Sequence, residues 1–552
     1  MSGSSDNFYL LTSSDEEGSS GSESDITSKR FTKYRLPIYS DSEEDNNDRQ
    51  AGAEWTEIDA PPEVHSFRGE PGPRGLEDAG NVKQTVQLFV GDDLVQSFVD
   101  ETNRYFQHDK QNLFTPTTSK TATWTDVTVA EMKKFLALIV IMGQVEKDDR
   151  NDYWSADPLI ATPIFSQTMT RNRFRQIWQG WNFDGDDIPE ENKSISIASV
   201  LAYFIRKFQG VYKPGRDLRL SETVIPWRGK LPFGSHNSGK SEKHRILVRT
   251  VSEALTGYIS NLKVYYEQDQ KLNESVLNIL QPYLNLWHHV YVDNYYDNIR
   301  TIEKLLERGT RVCGIINRNT CIPDCLKHFN LQKYEARFRR KGDVLIQAWK
   351  PKHKTVYVIS TIHSADLIGT GKSSKRTNEE IKKPACVVEF NKLLKSVNRA
   401  DQYSCYSILR RSKRWQKKVV LYLINCALFN AFVVHKQSCK SDLHFKKFLL
   451  CVARDWITAE EVAVASGDPQ PSSSMPNKRA PKYDPPSRLS LDMREHTITK
   501  IVGSGKIENP RRPCRVCTAA KKRSSTVFMC STCGVALHVG KCFEKYHTLE
   551  KY

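Results

Sequence analysis

The run Trp287-His288-His289-Val290-Tyr291-Val292-Asp293 is apolar and β-branched, and it closes on a carboxylate. It predicts a short buried strand, followed by a helix over Asn298 to Arg308 with Ile299, Ile302, Leu305 and Leu306 at helical spacing. A carboxylate at the exit of a buried strand suits metal-dependent phosphoryl chemistry. Mg²⁺ takes oxygen ligands on rigid elements, and paired metals clamp the attacking and leaving oxygens. The plainer alternative is that such an Asp caps the next helix. A second carboxylate, Asp401, falls in a helical pattern three residues after Asn398, which places both on one face.

A different chemistry is concentrated near the C-terminus. Cys514 and Cys517, then Cys530 and Cys533, are two C-x₂-C pairs split by 12 residues, and His538, Cys542 and His547 follow. These ligand types at this spacing fit structural Zn²⁺. Seven ligands exceed one tetrahedral site and fall one short of two. A cross-braced double site is therefore predicted, with alternate pairs sharing a metal. His496 could supply the eighth ligand, although nothing in the spacing requires it. So short a module would draw much of its stability from metal.

Three basic clusters offer themselves to phosphate. Arg171, Arg173 and Arg175 lie among Phe174, Ile177, Trp178 and Trp181, an amphipathic helix with a cationic face. That face contacts DNA or is merely solvated. Arg410, Arg411, Lys413, Arg414, Lys417 and Lys418 crowd one nonapeptide ahead of an apolar helix. Cations at a helix start oppose its dipole unless an anion is present, so DNA contact is favoured there. Arg511, Arg512 and Arg515, with Lys521-Lys522-Arg523, surround the first cysteine pair.

The elements that must position these groups follow from periodicity. Helices are predicted from about Val82, over Thr128 to Met142 behind a Thr128–Glu131 capping box, over Met169 to Trp181 and over Ser199 to Tyr212. Strands are then predicted over Asp217 to Trp227, His244 to Val251 and Tyr258 to Tyr266, a helix over Glu274 to Leu284, the Asp293 strand, its helix, and a strand over Arg311 to Ile316. Three strands, helix, strand, helix, strand is the order of an RNase H-like α/β fold. Asn319 to about Lys383 interrupts it as a basic insertion, with strands at Val344–Trp349 and Thr355–Ser360, before Val387 to Phe390 and the helix bearing Asn398 and Asp401 resume the core.

Composition bounds the function. The 552 residues carry a formal charge of +16, while residues 1–50 hold 11 acidic and 5 basic residues, so the remainder carries +22. That is the asymmetry of a nucleic-acid binder with an acidic tail. Ser13, Ser14, Ser40 and Ser42 beside acid runs suit an acidophilic kinase. Thirteen cysteines, five of them clustered, argue for a reducing compartment. No signal peptide is expected, and the apolar run Val419 to Val434, broken by Asn425 and Asn430, reads as a buried helix rather than a membrane span. Residues 466–488 form a Pro/Ser-rich linker.

With these pieces placed, the chain from about Trp55 to Tyr552 resembles the piggyBac family of DNA transposases and the host proteins derived from them. The resemblance rests on Met132-Lys133-Lys134-Phe135-Leu136, Asn151-Asp152-Tyr153-Trp154, Met169-Thr170-Arg171-Asn172-Arg173-Phe174-Arg175, Val292-Asp293-Asn294-Tyr295-Tyr296, Arg399-Ala400-Asp401-Gln402-Tyr403 and Cys542-Phe543-Glu544-Lys545-Tyr546-His547-Thr548. It implies an α/β plus α protein. An RNase H-like core (216–318 and 384–406) with an inserted domain (319–383) would be flanked by a discontinuous, mostly helical dimerisation and DNA-binding domain (81–215 and 407–465). An acidic tail and linker (1–80), a second linker (466–509) and a cross-brace zinc finger (510–552) complete it. It also implies double-stranded DNA as partner, a homodimer, a nuclear location, and cut-and-paste chemistry at TTAA sites through hairpin intermediates. The family places Asp on the first strand just before Glu and on the later helix as Val-Asp-Arg-Ala-Asp. Here Ser221 precedes Glu222, and Asn398 stands at the first helical Asp, so only Asp293 and Asp401 remain. Glu222 faces the opposite side of its strand from Ser221. Weak or absent Mg²⁺ binding and lost cleavage are the expectation, against the alternatives of a residually active transposase or a chromatin scaffold.

Overall fold

The computed structural model describes residues 55–75, 81–108, 124–183, 196–226, 245–265, 272–295, 299–316, 322–323, 326, 329–351, 353–373, 380–402, 414–459, 484, 488–489, 496–501 and 510–549. They fall into two units, Met1–Glu461 and Val462–Tyr552. Residues 1–54, with the four tail serines, lie outside the described residues, as do Arg410, Arg411 and Lys413.

The first unit opens with helices α1 (Val82–Phe89), α2 (Asp92–His108), α3 (Val129–Gln144), α4 (Pro163–Thr168), α5 (Arg171–Gly180) and α6 (Ile197–Val211). Thr128 caps α3 as expected, accepting the Glu131 N–H at 3.2 Å. The Glu131 carboxylate is drawn away to Arg173, at 2.7 and 2.6 Å. The capping box is therefore only half made, because a partly buried guanidinium is the stronger partner.

The sheet follows, with strands β3 (Asp217–Pro226), β4 (Arg245–Glu253) and β5 (Ile259–Tyr265), helix α7 (Leu272–Leu280), β6 (His288–Tyr295), helix α8 (Ile299–Glu307) and β7 (Thr310–Ile316). The expected element order is observed. β3, β6 and β7 pair in parallel, and β4 and β5 add antiparallel. The insertion is not a separate body. Its strands β8 (Ala336–Lys341), β9 (Val344–Trp349) and β10 (Val356–Ser360) extend the same eight-stranded sheet, in the order β5-β4-β3-β6-β7-β10-β9-β8. β7 would otherwise be an unpaired edge, and antiparallel pairing of β10 satisfies it. A two-stranded hairpin, β11 (Leu367–Ser373) and β12 (Glu380–Pro384), leads back to the core.

Alternation along the strands assigns the faces. Leu218, Leu220, Val290 and Val292 pack with Val276, Ile279, Ile302 and Leu305 of α7 and α8. On the other face Tyr291, Cys313, Val356 and Val358 pack with Cys386, Val387 and Phe390. These last three belong to helix α9 (Ala385–Gln402), so Val387 to Phe390 is part of that helix and not a separate segment ahead of it. Helix α10 (Trp415–Cys439) then runs into the helical layer, followed by α11 (Phe445–Thr458). α10 is long and apolar enough to cross a membrane by length and composition, but 83% of its apolar window is buried in the protein. Its polar interruption is explained by Asn430, which accepts the Ile259 N–H at 2.8 Å and donates to the Ile259 carbonyl at 2.7 Å, clamping α10 to β5.

Residues 55–75, expected as linker, are built into this unit as a belt. Thr56 and Arg340 of β8 exchange main-chain hydrogen bonds of 2.9 and 3.0 Å. Asp59 pairs with the Arg340 guanidinium at 2.7 Å. His65 stacks on Trp287 at 3.7 Å, and Gly72–Pro73 (β1) pairs with Tyr212–Lys213 (β2). The buried Arg340 must find a carboxylate, and the belt supplies it.

The second unit also starts earlier than position 510. Ile498–Lys500 (β13) pairs with Phe528–Cys530 (β16), and Asp484 accepts from Arg515 at 3.0 Å and from Tyr546 at 3.1 Å. Its other elements are Arg512–Pro513 (β14), helix α12 (Arg515–Ala519), Ser525–Thr526 (β15) and helix α13 (Lys541–Thr548).

Candidate functional site

β3 and β6 set two of the sequence-predicted carboxylate positions on adjacent strands, and α9 carries the other two. β3 and β6 run parallel with Leu220 opposite Val292, so Ser221 and Asp293 are the next residues on adjacent strands. The Ser221 hydroxyl is 3.0 Å from Thr250 Oγ1 on β4, a neutral pair. Glu222 turns to Arg249, which donates to it at 3.2 and 2.6 Å and is itself buried. That carboxylate is therefore engaged elsewhere. The backbones of Asp293 on β6 and of Asn398 and Asp401 on α9 are placed, while their side chains lie outside the described residues.

Sequence reasoning missed the group that holds α9 to this sheet. Glu389 accepts from His363 Nε2 at 2.6 Å, and His363 Nδ1 meets the Ser360 hydroxyl at 2.8 Å. The His363 bond, and then its positive charge, hold the Glu389 carboxyl down at about 2. Burial and the Arg216 guanidinium push His289, two residues before Tyr291, down to about 4. Burial pushes the Tyr291 phenol well up. Ser360 and His363 are three residues apart, but no spacing signal links them to Glu389, which the packing of α9 on the sheet brings to them.

The predicted phosphate ligands divide sharply. Arg171 and Arg175 are exposed on α5. Arg173 is not available, being spent on Glu131 at 2.6 Å and lying 4.7 Å from the Trp124 ring centre. Lys417 is 3% exposed, donates to the Trp178 carbonyl and packs on the Trp178 ring. Arg414 donates to Asn182 and packs on Tyr105. Lys417 is thus a packing residue of α10, and its stem and charge serve the helix junction. Lys418 is half-buried. In the second unit Arg511 is exposed and Arg512 half-buried, whereas Arg515 is tied to Asp484.

The cysteine-rich unit forms two four-ligand groups. Cys514, Cys517, His538 and Cys542 make one; His496, Cys530, Cys533 and His547 make the other. Alternate pairs share a group, as expected, and His496 completes the second. The spacings are those of a tetrahedron. Cys517 and Cys542 sulfurs are 3.8 Å apart, Cys517 Sγ and His538 Nδ1 3.5 Å, and Cys533 Sγ lies 3.5 Å from both His496 Nδ1 and His547 Nε2. A Zn–S bond of about 2.3 Å gives a tetrahedral edge of about 3.8 Å, and nitrogen shortens it. His547 Nδ1 bonds the Phe543 carbonyl at 2.7 Å, which turns Nε2 toward the group. Gly534, at φ 66°, makes the turn that closes the Cys530–Cys533 pair.

A family profile described as transposase IS4 matches residues 83–432. PiggyBac transposable element-derived protein 3 of Homo sapiens is 20% identical over 488 residues, covering 84% of this chain and 76% of that protein. PiggyBac transposable element-derived protein 2 of Homo sapiens is 20% identical over 430 residues, 72% of this chain and 70% of that protein. A cryo-EM structure of the piggyBac transposase synaptic complex with hairpin DNA superposes with a TM-score of 0.60 at 21% identity, covering 70% of this chain and 83% of that one. With the profile spanning more than half of its length, the chain belongs to the piggyBac family of transposases and transposase-derived proteins.

Proposed function

We propose that this protein is a transposase-derived, nuclear, dimeric DNA-binding protein that has lost strand cleavage and carries two structural Zn²⁺. The observation that carries the loss is Ser221. Where the family pattern has a strand carboxylate, this chain has a hydroxyl paired with Thr250 at 3.0 Å, and the adjacent Glu222 is bound to Arg249. With Asn398 on α9 in place of a second carboxylate, the donor set does not fit a pair of hard dications such as Mg²⁺.

Zinc does fit. Cys514, Cys517, His538 and Cys542 would hold one ion, and His496, Cys530, Cys533 and His547 the other. Bound there, zinc supplies no chemistry beyond cross-linking the chain. Duplex DNA is the partner that the charge of +22 outside the acidic tail favours, with Arg171, Arg175, Arg511 and the Lys521–Arg523 run available to phosphate.

Two measurements test this reading together: duplex affinity as a function of salt, and nicking of a labelled transposon-end duplex in Mg²⁺ and in Mn²⁺. A steep salt slope without nicking is the expected result. Nicking that Asp293→Ala abolishes would establish an active transposase instead, and salt-insensitive or absent binding would remove the DNA-binding role.

A further inference from the structure

We infer that the side-chain surface formed by Phe329, Arg337 and Arg339, on and just ahead of β8, is a binding platform for unpaired bases of single-stranded nucleic acid. Phe329, just ahead of β8, is 41% exposed although it is a large apolar side chain. Two guanidiniums lie over its ring, Arg337 at 5.8 Å and Arg339 at 5.7 Å from the centroid. Next to it Lys333 stands 4.8 Å from the Tyr334 ring centre. Tyr334 is held at φ 69°, a left-handed conformation that a bulky residue adopts only under constraint and that clusters at ligand sites. Between residues 329 and 341 there are five cations, Lys333, Arg337, Arg339, Arg340 and Lys341, against the single carboxylate Glu335; Arg340 is buried on Asp59 and Lys341 pairs with Glu303, which leaves Lys333, Arg337 and Arg339 to meet a ligand.

This combination selects its ligand class. A duplex hides the faces of its bases and would use the cations alone. An unpaired base can stack on the phenylalanine, the tyrosine and the guanidinium planes while its phosphates meet the same cations. The carboxylates now present compete unequally. Glu335 pairs with Arg337 at 3.1 Å, where Arg337 is 56% exposed, and Glu57 of the belt pairs with Arg339 at 2.6 Å while itself 74% exposed. The Arg337 pair is exposed enough to contribute little and yield to phosphate, whereas Arg339 is itself only 12% exposed and is held by Glu57. β8 is the last strand of the sheet, and Thr56 of the belt already bonds its outer main chain at Arg340, so the ligand would lie on the side chains of Phe329, Arg337 and Arg339 rather than add to the edge.

The platform is independent of the zinc unit and of duplex binding. The test uses the full chain, a single-stranded oligonucleotide carrying 2-aminopurine, and the duplex of the same sequence. Single-strand binding should quench 2-aminopurine. Phe329→Ala should weaken single-strand affinity by about fivefold to a hundredfold, the range set by one lost stacking contact, and leave duplex affinity unchanged. Phe329→Trp should retain it, and Glu57→Ala should tighten it by freeing Arg339. Unchanged single-strand affinity in Phe329→Ala, no quenching, or equal displacement by poly-glutamate would overturn the inference, the last in favour of an acidic protein partner. Loss of duplex binding alone would count against the proposed function and leave this platform standing.

Discussion

Ser221 and Thr250 face each other across β3 and β4 with their hydroxyl oxygens 3.0 Å apart. The position just before Glu222 thus carries a neutral hydrogen-bonded hydroxyl and not a carboxylate. That one bond engages both hydroxyls, so neither is left without a partner.

Restoration tests what was lost. Ser221→Asp and Asn398→Asp should each remain inactive, since each still lacks a ligand. The double variant should bind Mn²⁺ measurably and nick a transposon end, read by calorimetry and by gel. Equal activity in either single variant would show that the missing carboxylates are not both required.

Zinc stoichiometry should respond to a residue far from the cysteine pairs. His496→Ala is expected to lower metal content from two ions to one per chain, while His496→Cys keeps both. Mass spectrometry of the native protein reads this directly. Full content in His496→Ala would assign the eighth ligand elsewhere.

Arg173 and Lys417 should matter for stability and not for DNA. Arg173→Ala breaks the paired bonds to Glu131, and Lys417→Met leaves the Trp178 carbonyl without its ammonium donor. Each should lower unfolding free energy by about 1–3 kcal/mol with duplex affinity and salt slope unchanged, measured by urea unfolding and by anisotropy. A reduced salt slope in either variant would return that residue to the DNA interface.

Acid stability should carry the signature of Glu389. Its carboxyl titrates at about 2 in the folded chain against 4.5 ordinarily, so the unfolded chain binds more protons between those values. The stabilisation is therefore fully present above pH 4.5 and is lost as pH falls toward 2. Glu389→Gln should flatten that acid limb in urea midpoints taken across pH. A limb of unchanged slope would show that the His363 bond does not couple to folding.

Local spacing determined much of this protein. Two C-x₂-C pairs and the trailing His and Cys residues name seven of the eight ligands, because a short turn brings such neighbours to one metal wherever the chain goes. Periodicity likewise names the strands and helices of the core, and the neutral residues at 221 and 398 are visible in the letters themselves. Tertiary structure decided the rest. His496 joins its group only because β13 pairs with β16, and Glu389 meets His363 only because α9 packs on β10. Lys417 and Arg173 read as phosphate ligands from composition, yet each is enclosed by an element distant in sequence. Whether a charge faces solvent or a buried partner depends on what folds over it, and that is a property of contacts between distant segments which no local pattern encodes.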